Sequence, residues 1–217
     1  VSSNQRGAAR RLALIEATRI ALLERGSAGV RVRDVAEEAG ISPSAILYHY
    51  PSFDDLVVAA IAHGLDGLHL RRTRAVDSHG EPAARLLATV DACLASDRDD
   101  EEVRLLSLAA AQADESFTLR ALLGSAIDRA TFTYQSILET GAATGIFRLS
   151  DGSLAVARNL AALEYAYGQM IVNEIPGFDH ATALTQMLAY VAGATGARLS
   201  PAAERRDGLG AAEDDGR

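Results

Sequence analysis

The chain has no tryptophan, no lysine and a single cysteine, and aromatic residues make up only 5% of its 217 positions. A lone Cys93 forms neither an internal disulfide nor a cysteine-rich metal site. No run reaches the roughly 18–20 consecutive apolar residues of a membrane span, and no stretch alternates apolar and polar residues as a half-buried strand does. There is no Gly-rich phosphate loop, no G-x-S-x-G and no H-E-x-x-H. The histidines (His49, His63, His69, His79, His180) are scattered, and the spacing of His63 and His69 does not align them on one helix face. These absences argue against catalysis, a metal site and a bound cofactor.

What is present is helix-forming. Hydrophobic residues make up 48% of the chain, alanine and leucine dominate them, and both favour helix. The expected fold is therefore all-α. Residues 1–11 are polar and basic, with no apolar stretch to serve as a signal segment, so the expected location is the cytoplasm, with no membrane partner. The formal net charge of −8 is unevenly spread: Arg6, Arg10, Arg11, Arg19, Arg25, Arg31 and Arg33 outnumber the five acids of residues 1–53, leaving that stretch at +2 and the remainder at −10. A basic first quarter on an acidic body suits a nucleic-acid-binding head.

Start and stop signals divide the chain into about nine helices. A first helix is expected from about Gly7 to Arg25, stopped by Gly26. A second spans about Val32 to Ala39 and ends at Gly40. A third is capped by Ser42 with Pro43 at its first position and is cut short by Pro51. A fourth starts at the Ser52/Asp55 pair and runs toward Arg74, with Arg71, Arg72 and Arg74 placed to complement the negative end of its dipole. Further helices are expected over 82–96, 101–113, 116–143, 151–174 and 180–198. The Ala-, Gly- and charge-rich stretch 200–217 is expected to be disordered.

Segment 33–50 reads Arg-Asp-Val-Ala-Glu-Glu-Ala-Gly-Ile-Ser-Pro-Ser-Ala-Ile-Leu-Tyr-His-Tyr. Two short helices crossing steeply need a small residue at the crossing, here Ala36, and a glycine in the turn, here Gly40. Val35, Ile41, Ile46 and Tyr50 then make a small shared core. With the first helix, the Tyr-His-Tyr-Pro-Ser end and the Asp-x-Leu that follows, residues 8–62 resemble the N-terminal domain of the TetR family. Three positions depart from that family's habit: Arg31 stands where Thr commonly caps the second helix, Leu47 where Tyr is common, and Phe53 where Lys commonly contacts a phosphate.

The resemblance implies a helix-turn-helix DNA-binding domain over 1–52, a larger effector-binding and dimerisation domain over 53–199, and a tail. It implies a homodimeric repressor that binds palindromic double-stranded operator DNA and releases it when a small molecule binds. In the head, Arg33 is placed to reach a phosphate or base edge. Ser42, Pro43, Ser44 and Ala45 face the groove, and Tyr48 and His49 contact the backbone. Arg10 and Arg11 are divided between a DNA-contacting arm and a solvated face.

For the body, helix 151–174 has Leu154, Ala161, Tyr165, Gly168 and Val172 on one side. Val156, Leu160, Leu163, Tyr167 and Ile171 lie on another, so both need covering. Pairing it and helix 180–198 with a second copy would cover the surplus. Polar or aromatic residues in the apolar helices are the candidate effector contacts: Cys93, Tyr134, Gln135, Glu164, Tyr165, Gln169 and Asn173. Control by a protein partner, regulation without an effector, and an interaction protein that has lost DNA binding remain open alternatives.

Overall fold

The computed structural model describes residues 3–26 and 29–199. The expected disordered tail 200–217 and two loop residues, Ser27 and Ala28, lie outside them. Among the described residues the chain is nine helices and no strand: α1 (Ser3–Arg25), α2 (Val32–Glu38), α3 (Pro43–His49), α4 (Phe53–Asp77), α5 (Pro82–Cys93), α6 (Glu101–Ala111), α7 (Phe117–Ala143), α8 (Ser153–Val172) and α9 (His180–Thr195). No helix among them is long and apolar enough to cross a membrane.

The helix starts are local chemistry. Side-chain oxygens of Ser52, Asp100, Ser116 and Asp179 accept the backbone N–H three residues on, at 3.1, 3.1, 3.3 and 2.8 Å, which satisfies donors that the first helical turn leaves free. Several boundaries differ from expectation: α5, α6, α8 and α9 stop two or three residues short, at Cys93, Ala111, Val172 and Thr195. Helix α1 begins at Ser3, ahead of Gly7, and α4 continues past Arg74 to Asp77. Only Arg74 is therefore in the last turn of α4, and Arg71 and Arg72 answer to partners other than the helix dipole.

Two apolar cores result. One joins α1, α2, α3 and the first half of α4 to α6 and the start of α7, through Leu14, Leu22, Val35, Ile46, Leu56, Ile61 and Leu105. The other joins α5, α7, α8 and α9 through Leu86, Val90, Leu138, Val156, Leu160, Met187 and Val191. Helix α6 lies between them, seated by two glycines. A Cβ on Gly64 of α4 would stand 2.4 Å from a Leu105 methyl, and one on Gly168 of α8 would stand 3.2 Å from Val103.

After α7 the chain turns back, and Phe147 packs on Gly141. A Cβ there would fall 2.0 Å from the ring, while the Phe147 N–H donates to the Gly141 carbonyl at 3.0 Å. Overpacking of this kind costs about 1–3 kcal/mol. Gly141→Ala should thus lower the melting temperature, by roughly 2–4 °C per kcal/mol in a chain of this size, despite alanine's better helix propensity. A thermal melt followed by circular dichroism checks this, and an unchanged or raised midpoint would contradict the packing.

Candidate functional site

The head presents one outward face. Gly40 takes a positive φ of 62° in the turn, and the Ile41 N–H donates to the Ala36 carbonyl at 2.9 Å, so α3 leaves at a steep angle to α2. Val35 and Ile46 are fully buried beneath it, Tyr50 nearly so, and Ile41 packs at the margin. The other side of α3 is left to solvent: Ser42, Pro43, Ser44 and Leu47 are exposed, and Tyr48 is 86% exposed. Ala45 and His49 are partly covered, and Arg33 of α2 is exposed alongside. Ser42 caps α3 by accepting the Ala45 N–H at 3.3 Å, and its hydroxyl lies 3.0 Å from that of Ser44.

Arg11 has a defined task. Its guanidinium donates to the His49 carbonyl at 3.1 Å and stacks 5.5 Å from the Tyr50 ring centroid. It thereby occupies a carbonyl that the last turn of α3 leaves unpaired, and it ties that helix to α1.

In the body, a small cavity of about 20 Å³ is walled by Leu68 and Arg72 of α4, Cys93, Val103 and Leu106, together with Ala126, Ile127, Ala130, Ala161, Glu164 and Tyr165. That is room for about one water molecule. Its polar end is a buried network. Arg72, only 2% exposed, forms an ion pair with one oxygen of Glu164, and the Tyr134 phenol donates to the other at 2.6 Å. Burial pulls the Arg72 guanidinium down, but Glu164, Cys93 and Tyr134 together outweigh it and the net direction is up. Burial and then Glu164 push the Tyr134 phenol well above its ordinary range. The Cys93 thiol is driven up to about 12, by burial first and then by Glu164, against the pull of Arg72 and Arg71. The Nε of Arg72 is buried and has no hydrogen-bond partner.

Residues 14–60 match the family model described as bacterial regulatory proteins, tetR family. The N-terminal segment of this chain is thus similar to the tetR family. The HTH-type transcriptional repressor KstR2 of Mycobacterium tuberculosis is 35% identical over 77 residues, which is 36% of this chain and 38% of that protein. The chain thus aligns with well under half of that relative's length. Among solved structures, a putative transcriptional regulator from Saccharomonospora viridis in complex with choline superposes with TM-score 0.78 at 22% identity, covering 87% of this chain and 98% of that one. The transcriptional regulator FadR from Bacillus subtilis in complex with stearoyl-CoA superposes with TM-score 0.68 at 12% identity, covering 84% and 98%. At these identities the likeness is one of fold.

The positions at which the head departs from the habit of the family it resembles have structural answers. Asp34 takes up the work of a capping side chain at α2, its carboxylate accepting the Arg31 N–H at 2.7 Å. Phe53 is half-buried against the head core, so packing replaces a charge there. Leu47 is exposed beside Tyr48.

Of the seven candidate effector contacts, Cys93, Glu164 and Tyr165 line the cavity. Tyr134 stands behind it as the partner of Glu164. Gln169 accepts from Ser107 of α6 at 2.7 Å. Gln135 donates to Glu139 at 2.8 Å on the surface, where Glu139 also receives the Ser153 hydroxyl. Asn173 donates to the Gln169 carbonyl at 2.7 Å at the exposed end of α8. Sequence reasoning missed Arg72 as a cavity residue, although a signal was present: Ile61, Leu65, Leu68, Arg72 and Ala75 fall on one helical stripe, and all are buried.

Most of both apolar sides of α8 is covered within the chain, but Leu154 is left 40% exposed. Val156, Leu160 and Ile171 enter the body core and Gly168 meets Val103, while Tyr165 reaches the head core. The outward surface of α8 and α9 mixes small residues, Ala155, Ala162, Thr185, Ala189 and Gly193, with Leu154, Arg158, Asn159 and Gln186.

Removing one member of a buried ion pair strands the other. Arg72→Ala or Glu164→Ala should destabilise by about 3–5 kcal/mol, whereas the pair Arg72→Met with Glu164→Leu should recover most of it. Urea titration of the single and double variants checks this, and additive losses would contradict it. Because Cys93 is protonated and buried at neutral pH, it should resist a thiol reagent at pH 8 in the native protein and react fully once unfolded. Fast native labelling would contradict that.

Proposed function

We propose that the chain is a transcriptional repressor that binds a palindromic operator as a homodimer and is released from it by a small molecule. The observation that carries the DNA-binding part is the outward face of α3. Two hydroxyls, from Ser42 and Ser44, and a tyrosine left 86% exposed project from a head of net positive charge. A large aromatic side chain stays in water at a cost in burial, and a phosphate and sugar surface is what it is placed to meet. Ser42, Pro43, Ser44 and Ala45 would enter the major groove, with Arg33, Tyr48 and His49 fixing register on the backbone. In this division the head ends near residue 52, where α4 begins.

Dimerisation through α8 and α9 is favoured by their outward surface, whose small residues permit close approach of helices from a second copy. A two-fold operator then requires recognition helices about 34–36 Å apart, or a multiple of that. The effector reading is supported by the Arg72–Glu164 pair. A buried ion pair contributes little stability over apolar side chains of like volume, so its presence in an otherwise apolar wall supports a role in recognition. The choline and stearoyl-CoA bound by the S. viridis and B. subtilis neighbours are consistent with a body of this fold accepting small molecules.

Release would run through α6. Val103 and Leu106 wall the cavity, while on the same helix Glu101 pairs with Arg19 of α1 at 2.9 Å and Arg104 donates to the Leu23 carbonyl. A ligand that displaces α6 therefore moves α1, and with it the head. Full reversal of such an equilibrium requires about 5.5 kcal/mol of differential binding. A second reading keeps the DNA-binding head and dispenses with the effector, and the small volume of the cavity favours it.

The test is binding of the full chain to DNA from around its own gene over a salt series. Arg33→Ala should weaken binding and reduce the salt slope by about one, and Tyr48→Ala should weaken it on all sequences alike. Selective binding with those losses supports the assignment. Equal, weak binding to unrelated DNA would overturn it.

A further inference from the structure

We infer that the effector of this body is an uncharged, mostly apolar molecule ending in a single hydrogen-bond acceptor such as a ketone or ester carbonyl, received by Arg72. The inference rests on the effector reading above and specifies the ligand's charge. Eight of the eleven residues that wall the cavity, among them Leu68, Leu106, Ile127 and Ala161, offer only hydrocarbon or a thiol, and the thiol of Cys93 is protonated at neutral pH. The charges in the wall are those of Arg72 and Glu164, and they are paired with each other. Both oxygens of Glu164 are engaged, one by Arg72 and one by Tyr134, whereas the guanidinium of Arg72 retains a buried Nε–H with no partner. Arg72 is 2% exposed, so bulk solvent does not reach that donor; a ligand acceptor there would take the place of the single water the cavity can hold.

A ligand carboxylate placed on this donor would sit beside Glu164 in a low-dielectric interior, where like charges repel strongly. An ammonium group would meet Arg72 with the same difficulty. A neutral acceptor satisfies the orphan donor and adds no charge. Ile127 is the most exposed of the lining residues, at 38%, and an alkyl chain would enter past it.

The test is calorimetric titration of the full-length protein at pH 7.5 with three probes of equal chain length: 2-octanone, octanoate and octylammonium. The ketone should bind at least tenfold more tightly than either ion. Octanoate or octylammonium binding as tightly as the ketone would overturn the uncharged assignment while leaving the effector reading in place. Failure of all three to bind would overturn this inference, whereas the effector reading falls only if no small-molecule panel shifts DNA binding. Glu164→Gln provides the second measurement, because its amide oxygen can accept from Arg72 and its NH2 can donate to the Tyr134 oxygen, while Arg72 is left without its counter-charge. In that variant, once circular dichroism shows it folded, preference should switch to octanoate. An unchanged preference for the ketone would overturn the role given to the pair, and if the variant does not fold, the wild-type panel decides.

Discussion

The ion pair between Arg72 and Glu164 brings α4 and α8 together at the centre of the molecule, and much of the body is arranged around it. An arginine at a core position of α4 must find a carboxylate or be excluded from the interior, since an unpaired buried charge is far more costly than any packing gain. Glu164 on α8 meets that requirement, and its second oxygen then draws in the Tyr134 phenol from α7. Three helices are thus oriented about one carboxylate. The same burial keeps the Cys93 thiol protonated, so the site is electrically neutral although it contains two full charges.

Helix α6 translates this arrangement toward the head. Its first turn is anchored by Asp100, which accepts the Val103 N–H at 3.1 Å and pairs with Arg71 of α4 at 2.8 Å. Glycines at 64 and 168 let its backbone approach α4 and α8 closely. Its far side carries the contacts to α1 through Glu101 and Arg104. One short helix therefore shares packing with both cores, and interiors packed at this density transmit a displacement in preference to absorbing it. In the proposed mechanism, that shared packing is the physical link between an occupied cavity and the spacing of two heads.

The head relies on a different economy. Its core is small, and the position of α3 is reinforced from α1 by Arg11, which occupies the His49 carbonyl and the face of Tyr50. An arginine that sequence alone divides between DNA arm and solvated surface thus has a structural role in aiming the recognition helix. With Phe53 half-buried at the start of α4, phosphate attraction in the proposed complex rests on the remaining arginines and on backbone and hydroxyl donors, which position without specifying.

Helix existence, most boundaries and the helix-turn-helix were legible in the sequence because their causes are local. Capping oxygens at Ser42, Ser52 and Asp179 act across three residues, Gly40 acts on its own φ, and Pro51 acts on its neighbour. The spacing of Ala36, Gly40 and Ile46 likewise describes a unit that folds within eighteen residues of chain. The cavity depended on longer distances. Arg72 and Glu164 are 92 positions apart, and within its own segment Arg72 reads as part of a basic cluster near a helix end. Whether Gln135 or Tyr134 turns inward is set by the rotation of α7 about its axis, which its packing on α5 and α8 determines. The sequence by itself determined the helices and the form of the head, because short-range hydrogen bonds and sterics decide those. Only the tertiary structure decided which polar side chains are buried together, because burial of charge is settled by partners that distant parts of the chain supply.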